Sequence, residues 1–436
     1  MKRRELVALV QSMGPSTVLS MGRNALADEA GVTRDQSRRM LDIAAGISAT
    51  VDVSRQDRGG RVTLEGPCQS LDDLVERAGI DLDQYRIQRW RANTWTTATR
   101  EGLLENWQVR ADLEPRLAEV PVPPPWGALP RAQPDPDAGA RGLTRVLVVP
   151  DLQVGYRWSH KRDVLEPMHD RRCMDLYLQL ARRRKPDVVV LVGDNVDFAP
   201  MSTKFDRPDN LRGTSQPSVW ALAYWLRELR QAAPAARIVY MEGNHERRLR
   251  DVQLGDASEL QGLAAYGDRA PLVTVERMLG LDALDVEYHG PYGETMWLDD
   301  SLAVLHGVRV SARPGATSAA VLSDYRHSAV YGHIHRVEQV SATIPGPGGQ
   351  IPIAAGSPGC GCRIDGAVPG HPGTPDWQQG WGFVEVERDT GAVWMDMHRI
   401  IDGRTTDGGV MLHGEDYAER EAEATGYAQV ARGRCT

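Results

Sequence analysis

DVVVLVGDNVD, residues 187–197, passes from an unbroken branched apolar run, Val188 to Val192, straight into a Gly-Asp turn. Such a run has no polar face, so it reads as a strand buried on both sides in a parallel sheet. The turn after it carries carboxylates and an amide, Asp194, Asn195 and Asp197, where the strand must leave the core.

The same sentence recurs along the chain. TRVLVV (144–149) ends at Pro150-Asp151-Leu152-Gln153, and RIVYM (237–241) at Glu242-Gly243-Asn244-His245-Glu246. LAVL (302–305) ends at His306-Gly307, and SAVY (328–331) at Gly332-His333-Ile334-His335. Helical patterns over about 171–184 and 219–231 alternate with the first strands, which predicts an α/β domain. Five polar clusters each follow the C-terminal end of an apolar strand, the edge where α/β sheets bind ligands. Asp, Gln, Asn and His together form an oxygen/nitrogen donor set suited to Mn²⁺, Fe or Zn²⁺ rather than an all-oxygen calcium cage.

This ordered set resembles the calcineurin-like metallophosphoesterase superfamily over about residues 144–400. The family pattern is Asp-x-His, Gly-Asp-x-x-Asp, Gly-Asn-His-Glu, a lone His, then Gly-His-x-His, and this chain departs from it once, with Gln153 in place of the first His. The resemblance implies a four-layer α/β/β/α sandwich over 143–402 and a binuclear phosphoesterase acting through a metal-bridged hydroxide. It implies that Asp151, Gln153, Asp194 and His335 hold one metal, and that Asp194 bridges to a second held by Asn244, His306 and His333. His245 would protonate the leaving group or steady the transition state, with Asp197 orienting it. Two divalent ions are implied, Mn²⁺ first, with Mg²⁺, Fe or Zn²⁺ as alternatives. The neutral amide of Gln153 predicts weaker affinity at the first site and a shift away from Zn²⁺.

Outward from this domain, PRLAEVPVPPPWGALPRAQPDPDAGARG (115–142) holds eight prolines and reads as a spacer with no core of its own. Residues 1–66 read as a winged helix-turn-helix: helices near 3–13 and 23–30, a turn at Gly31-Val32, and a third helix capped by Thr33. TVDVSRQDRGGRVTLEG would follow as a wing about its Gly-Gly pair. Arg34, Gln36, Arg38 and Arg39 would then lie on an exposed recognition helix, unless the module binds protein and these residues are merely solvated. Residues 67–114 read as a small α+β module with a Ser70/Asp73 helix start and two strands bearing Tyr85, Arg86, Arg89, Trp90, Arg91, Trp95 and Trp107. Those side chains would either stack on nucleic acid or form the core and rim of the module. This segment also resembles one found ahead of phosphoesterase domains in tailed-phage proteins. Residues 403–436 read as a C-terminal tail whose final charged stretch, 413–436, is a loose surface helix or tail.

The net charge of −8 opposes nucleic-acid binding by the whole surface. Residues 1–100 hold 15 basic against 13 acidic residues, and the rest 36 against 46, so DNA contact would fall to the N-terminal part. No run reaches the ~18 apolar residues of a membrane span, and five scattered cysteines suit free thiols, so a cytoplasmic enzyme is expected, in the host cytoplasm if phage-encoded. Cys360-x-Cys362 lacks a second pair at zinc spacing, which argues against a structural zinc. Phe198 after Asp197, where protein phosphatases of the family carry Arg, disfavours a phosphoprotein substrate. Basic residues at 157, 161, 162, 204, 207, 247, 248, 309 and 313 gather near the expected site, and Met201–Pro217 reads as a loop able to act as a lid. The substrate expected, by resemblance to phage-encoded members grouped with repair exonucleases, is a nucleic-acid phosphodiester, most simply DNA. The alternatives are a phosphomonoester or nucleotide, and a DNA-binding regulator with a weakly catalytic phosphoesterase-like domain.

Overall fold

The computed structural model describes residues 3–13, 15–47, 50–56, 59–65, 70–80, 82, 85–99, 102–115, 126–127, 129, 142–159, 164–204, 209–346, 349–369 and 376–427. The chain forms two compact units, Met1–Glu119 and Val120–Thr436.

In the larger unit the branched apolar runs become strands with both faces covered. Leu143–Val149, Val188–Leu191, Arg237–Met241 and Val286–His289 lie parallel, and Gln379–Glu387 and Val393–Ile400 complete a six-stranded sheet as an antiparallel hairpin. A second sheet of five strands holds Leu302–Leu305 and Ser328–Tyr331 in parallel, flanked by Thr295–Leu298, Gly349–Pro358 and Val337–Gly346. Side chains of a strand alternate between faces, and each face meets a different core. Leu147, Val149, Val189 and Leu191 pack with Tyr177 and Trp225 of the helices Arg171–Arg184 and Ser215–Ala232. Val146, Val148, Val190 and Val192 pack with Val304 and Val330 of the second sheet. Ala329 and Tyr331 turn the other way, onto Val321 and Leu322 of the helix Ala316–Tyr325. The layers therefore run helix, sheet, sheet, helix, as the family resemblance implies.

The edges of this unit carry structure beyond the expected plan. The stretch after residue 402 contains the helix that its sequence left open, and in its described part it is packed rather than loose. It forms the hairpin Arg404–Asp407/Val410–His413 and the helix Ala418–Thr425. Glu421 is 3% exposed and accepts from Arg171 Nη2 at 2.6 Å, and Tyr156 also donates to it. The charges that made the segment look solvated meet partners distant in the chain, which composition cannot reveal. Within the proline-rich spacer, Trp126 and Leu129 pack against the core, and Trp126 Nε1 donates to Ala424 O at 3.3 Å. Most of the remaining spacer lies outside the described residues.

The smaller unit begins with helices Arg3–Met13, Arg23–Glu29 and Arg34–Ile47, plus Pro15–Ser20, which the sequence reading did not anticipate. Leu6, Val10, Val18, Leu26 and Met40 form its helical core. Gln56 pairs with Gly59, so the Gly-Gly pair lies in the strand Gly59–Glu65 and not at the hairpin turn. That strand also pairs with Gly102–Pro115, which pairs with Tyr85–Thr99. One four-stranded sheet thus crosses the boundary expected at 66/67, because Val62 shares a core with Val109 and Ala111.

Candidate metal centre

The five strand ends deliver their polar residues to one place. His333 N–H donates to both Asp151 oxygens, at 3.0 and 3.2 Å, and His335 Nε2 lies 3.2 Å from Asp151 Oδ1 and 3.2 Å from Gln153 Nε2. Gln153 N–H in turn donates to Asp194 O at 2.8 Å. Asp194 Oδ1 stands 3.4 Å from His306 Nε2, and that nitrogen is 3.2 Å from Asn244 Oδ1. Donor atoms of Asp194, His306 and His333 lie within 4.8 Å of one another, as do those of Asp151, Asp194 and His335. The two groups meet at Asp194. All seven residues expected from the motifs are therefore joined in one cluster.

The backbone is forced to make this cluster. Asp151, Gln153, Asp194, His333 and His335 have φ of 31°, 44°, 52°, 71° and 56°. A non-glycine residue in that region costs on the order of 1 kcal/mol or more, and such strain gathers where a site over-determines the chain. Two glycines of the motifs are required by close approach. A Cβ on Gly243 would sit 2.2 Å from Asp194 N and Oδ1, and one on Gly332 2.6 Å from Asp151 Oδ2.

Protons are placed by partners without ambiguity at one residue of the cluster. His306 Nδ1 is 2.7 Å from the Val192 carbonyl, which can only accept, so Nδ1 carries hydrogen and Nε2 faces the cluster. Burial opposes charge on His306, yet the Asp194 carboxylate beside it holds the imidazole up to about 10. Burial, and then the His306 charge, push His333 down to about 4. Asp194 is buried, but His245 and His306 hold its carboxyl well below the usual range. The cluster draws positive charge to itself.

His245 sits at the start of the helix Asn244–Gly255. Its Nδ1 is 2.6 Å from Asp197 Oδ1 and its Nε2 3.6 Å from Asp194 Oδ2. Burial works against ionisation of Asp197, and His245 and Arg248 overcome it and lower its pKa. Two residues here escaped notice as individuals. Glu246 is 2% exposed and accepts the N–H groups of Gly243, Asp194, Asn195 and Val196 and the Tyr240 hydroxyl. It clamps two motif loops together. Arg248, counted among loose basic residues, donates to Asp197 O and Oδ1. The signal for Glu246 was its place three residues after Gly243, the spacing of a capping box.

The expected basic rim is largely paired. Arg157 meets Glu166, Arg247 meets Asp251 and Arg309 meets Asp324, while Lys204 and Arg313 are exposed. Residues 161, 162 and 207 lie outside the described set. The expected lid is held down in its described part, since Leu211 and Thr214 are buried and the helix already starts at Ser215. In the smaller unit, Arg34, Arg38 and Arg39 are exposed on their helix. Gln36 is not free for recognition: its Oε1 accepts from Thr33 N–H at 2.9 Å, closing the helix start. Trp90 and Trp95 are exposed, whereas Arg86 and Arg89 are paired with Glu114 and Asp112 across the strands.

Residues 144–337 match the family model described as calcineurin-like phosphoesterase. This chain carries a calcineurin-like phosphoesterase domain. No curated protein matches the chain. The family is one of metal-dependent phosphoric ester hydrolases, and the matched span includes every residue of the cluster. The residues fit a divalent ion on the structure's own terms. Gln153 is 2% exposed, and its Oε1 is buried without a hydrogen-bond partner, which a cation would satisfy. The phosphoesterase domain and its buried Asp and His groups are compatible with metal-dependent ester hydrolysis.

Proposed function

We propose that this phosphoesterase hydrolyses phosphodiester bonds at a binuclear centre, with nucleic acid, most simply DNA, as substrate. Asp151, Gln153, Asp194 and His335 would hold one divalent ion, and Asp194, Asn244, His306 and His333 the other, with Mn²⁺ favoured over Zn²⁺ by the neutral amide of Gln153. Bound there, two such ions neutralise phosphate oxygens and lower the pKa of water. The observation that supports this reading is the sharing of Asp194 by two donor groups, each within 4.8 Å.

The chain's own contribution is orientation. Asp197, held ionised by His245 and Arg248, lies 2.6 Å from His245 Nδ1 and favours a proton on that nitrogen, with Nε2 directed at the Asp194 side. In its charged form His245 can deliver the Nε2 proton to the departing alkoxide. Support for a nucleic-acid substrate comes from the exposed Arg34, Arg38 and Arg39 and the exposed Trp90 and Trp95, groups that neutralise phosphates and stack on bases.

The test is a rate comparison with Mn²⁺ on an aryl phosphodiester, an aryl phosphomonoester, and single- and double-stranded DNA. Faster diester than monoester turnover, with cleavage of DNA, is expected. Monoester preference would replace this reading with a phosphatase, and no turnover of any ester would leave a ligand-sensing regulator.

A further inference from the structure

Cys360 and Cys362 are both 0% exposed, and each is a free thiol. They follow the strand Gly349–Pro358, in a turn joined to the centre through Gly361 N–H, which donates to Asp151 O at 3.1 Å. A ring nitrogen of His335 and the two Sγ atoms lie within 4.8 Å of one another. His335 is 4% exposed, directs Nε2 to Asp151 and Gln153, and leaves Nδ1 buried without a hydrogen-bond partner. Trp377 closes the imidazole from the side, its ring centroid 4.1 Å away, and Cys360 Sγ is otherwise engaged only weakly, at 3.6 Å from Gln378 O.

Two sulfurs and an imidazole form a soft donor set, unlike the oxygen-rich cluster to which the same imidazole also belongs. Donor atoms around a four-coordinate zinc stand roughly 3.5–4 Å apart, so small side-chain rotations would close this triangle on an ion. We infer that Cys360, Cys362 and His335 form a second kind of metal site, for a thiophilic cation such as Zn²⁺ or Cd²⁺, sharing His335 with the proposed hydrolytic centre. Each thiol gives up its proton to solvent as the metal–sulfur bond forms, and when both sites are filled His335 also releases its ring N–H proton to solvent and bridges as imidazolate, with no change of oxidation state. The inference depends on His335 lying between the two donor sets and not on any ester being hydrolysed.

Titration of reduced, metal-free full-length protein with Co²⁺ tests it through the sulfur-to-cobalt charge-transfer absorption. A saturable band is expected, retained in Asp194→Asn and Cys173→Ala and lost in Cys360→Ser/Cys362→Ser. No band in the wild type, or a band that survives the double substitution, overturns the inference. Should the double variant not fold, cadmium-113 resonance of the wild type decides instead: a sulfur-ligated shift supports the site and an oxygen/nitrogen shift rejects it. Loss of the band with normal Mn²⁺ binding and turnover would fail this inference alone. A normal band without turnover would fail the hydrolytic reading alone.

Discussion

His245 Nδ1 lies 2.6 Å from Asp197 Oδ1, while the backbone N–H of the same histidine donates to Asp194 Oδ1 at 2.8 Å. His245 is thus tied to two buried carboxylates, its ring to Asp197 and its backbone to Asp194 of the donor cluster. His245→Ala should lower kcat by roughly 10²–10⁴-fold on an ester with a poor leaving group. The loss should shrink on an aryl ester whose alkoxide needs no proton. An equal loss on both would remove the general-acid role.

Gln153→His should tighten metal binding at the first site by about tenfold, because imidazole is the better donor for borderline ions. Calorimetric titration with Zn²⁺ and Mn²⁺ checks this; unchanged isotherms would contradict it.

Gly243→Ala forces a Cβ into Asp194 N and Oδ1. Since the obstacle is backbone on one side and a buried carboxylate on the other, the loops must separate. A stability loss of about 1–3 kcal/mol is expected by urea denaturation, together with weakened metal binding.

Glu246→Ala leaves the N–H groups of Gly243, Asp194, Asn195 and Val196 without their common acceptor. Orphaning buried donors costs about 1–3 kcal/mol each before relaxation, so a total of roughly 3–5 kcal/mol is expected. Denaturant midpoints of the metal-free protein measure it without reference to activity.

Glu421 gives a pH dependence outside the centre. Burial raises its pKa, but His169 and Arg171 outweigh this and bring it from the ordinary 4.5 to about 2. A depressed carboxyl stabilises the fold fully above its unfolded pKa and loses that contribution as pH falls through the folded value. Stability should therefore decline between about pH 4.5 and pH 2 by on the order of 3 kcal/mol from this group. Glu421→Gln should flatten that part of the acid-unfolding curve, and an unchanged slope would remove Glu421 from the account.

Much of the larger unit was legible because its strands are buried on both faces. A run such as Val188 to Val192 has few other homes, and each polar cluster after such a run had to lie at a sheet edge. The cores confirm the alternation, with Val190 and Leu191 facing different layers. Elements held by distant partners were less readable. The helix Ala418–Thr425 looked solvated because Arg171, His169 and Tyr156 are some 250 residues away from Glu421 in sequence. The strand Gly59–Glu65 likewise gave no sign of its second partner at Gly102–Pro115.

The amino-acid order by itself determined the α/β alternation and the polar clusters at the strand ends, since apolar periodicity and short-range turns are local properties, and the motif resemblance singled out seven side chains from those clusters. Only the tertiary structure decided that Glu246 clamps the motif loops together and that Cys360 and Cys362 stand beside His335. Those relationships depend on sheet pairing between segments far apart in the chain, which no local pattern encodes.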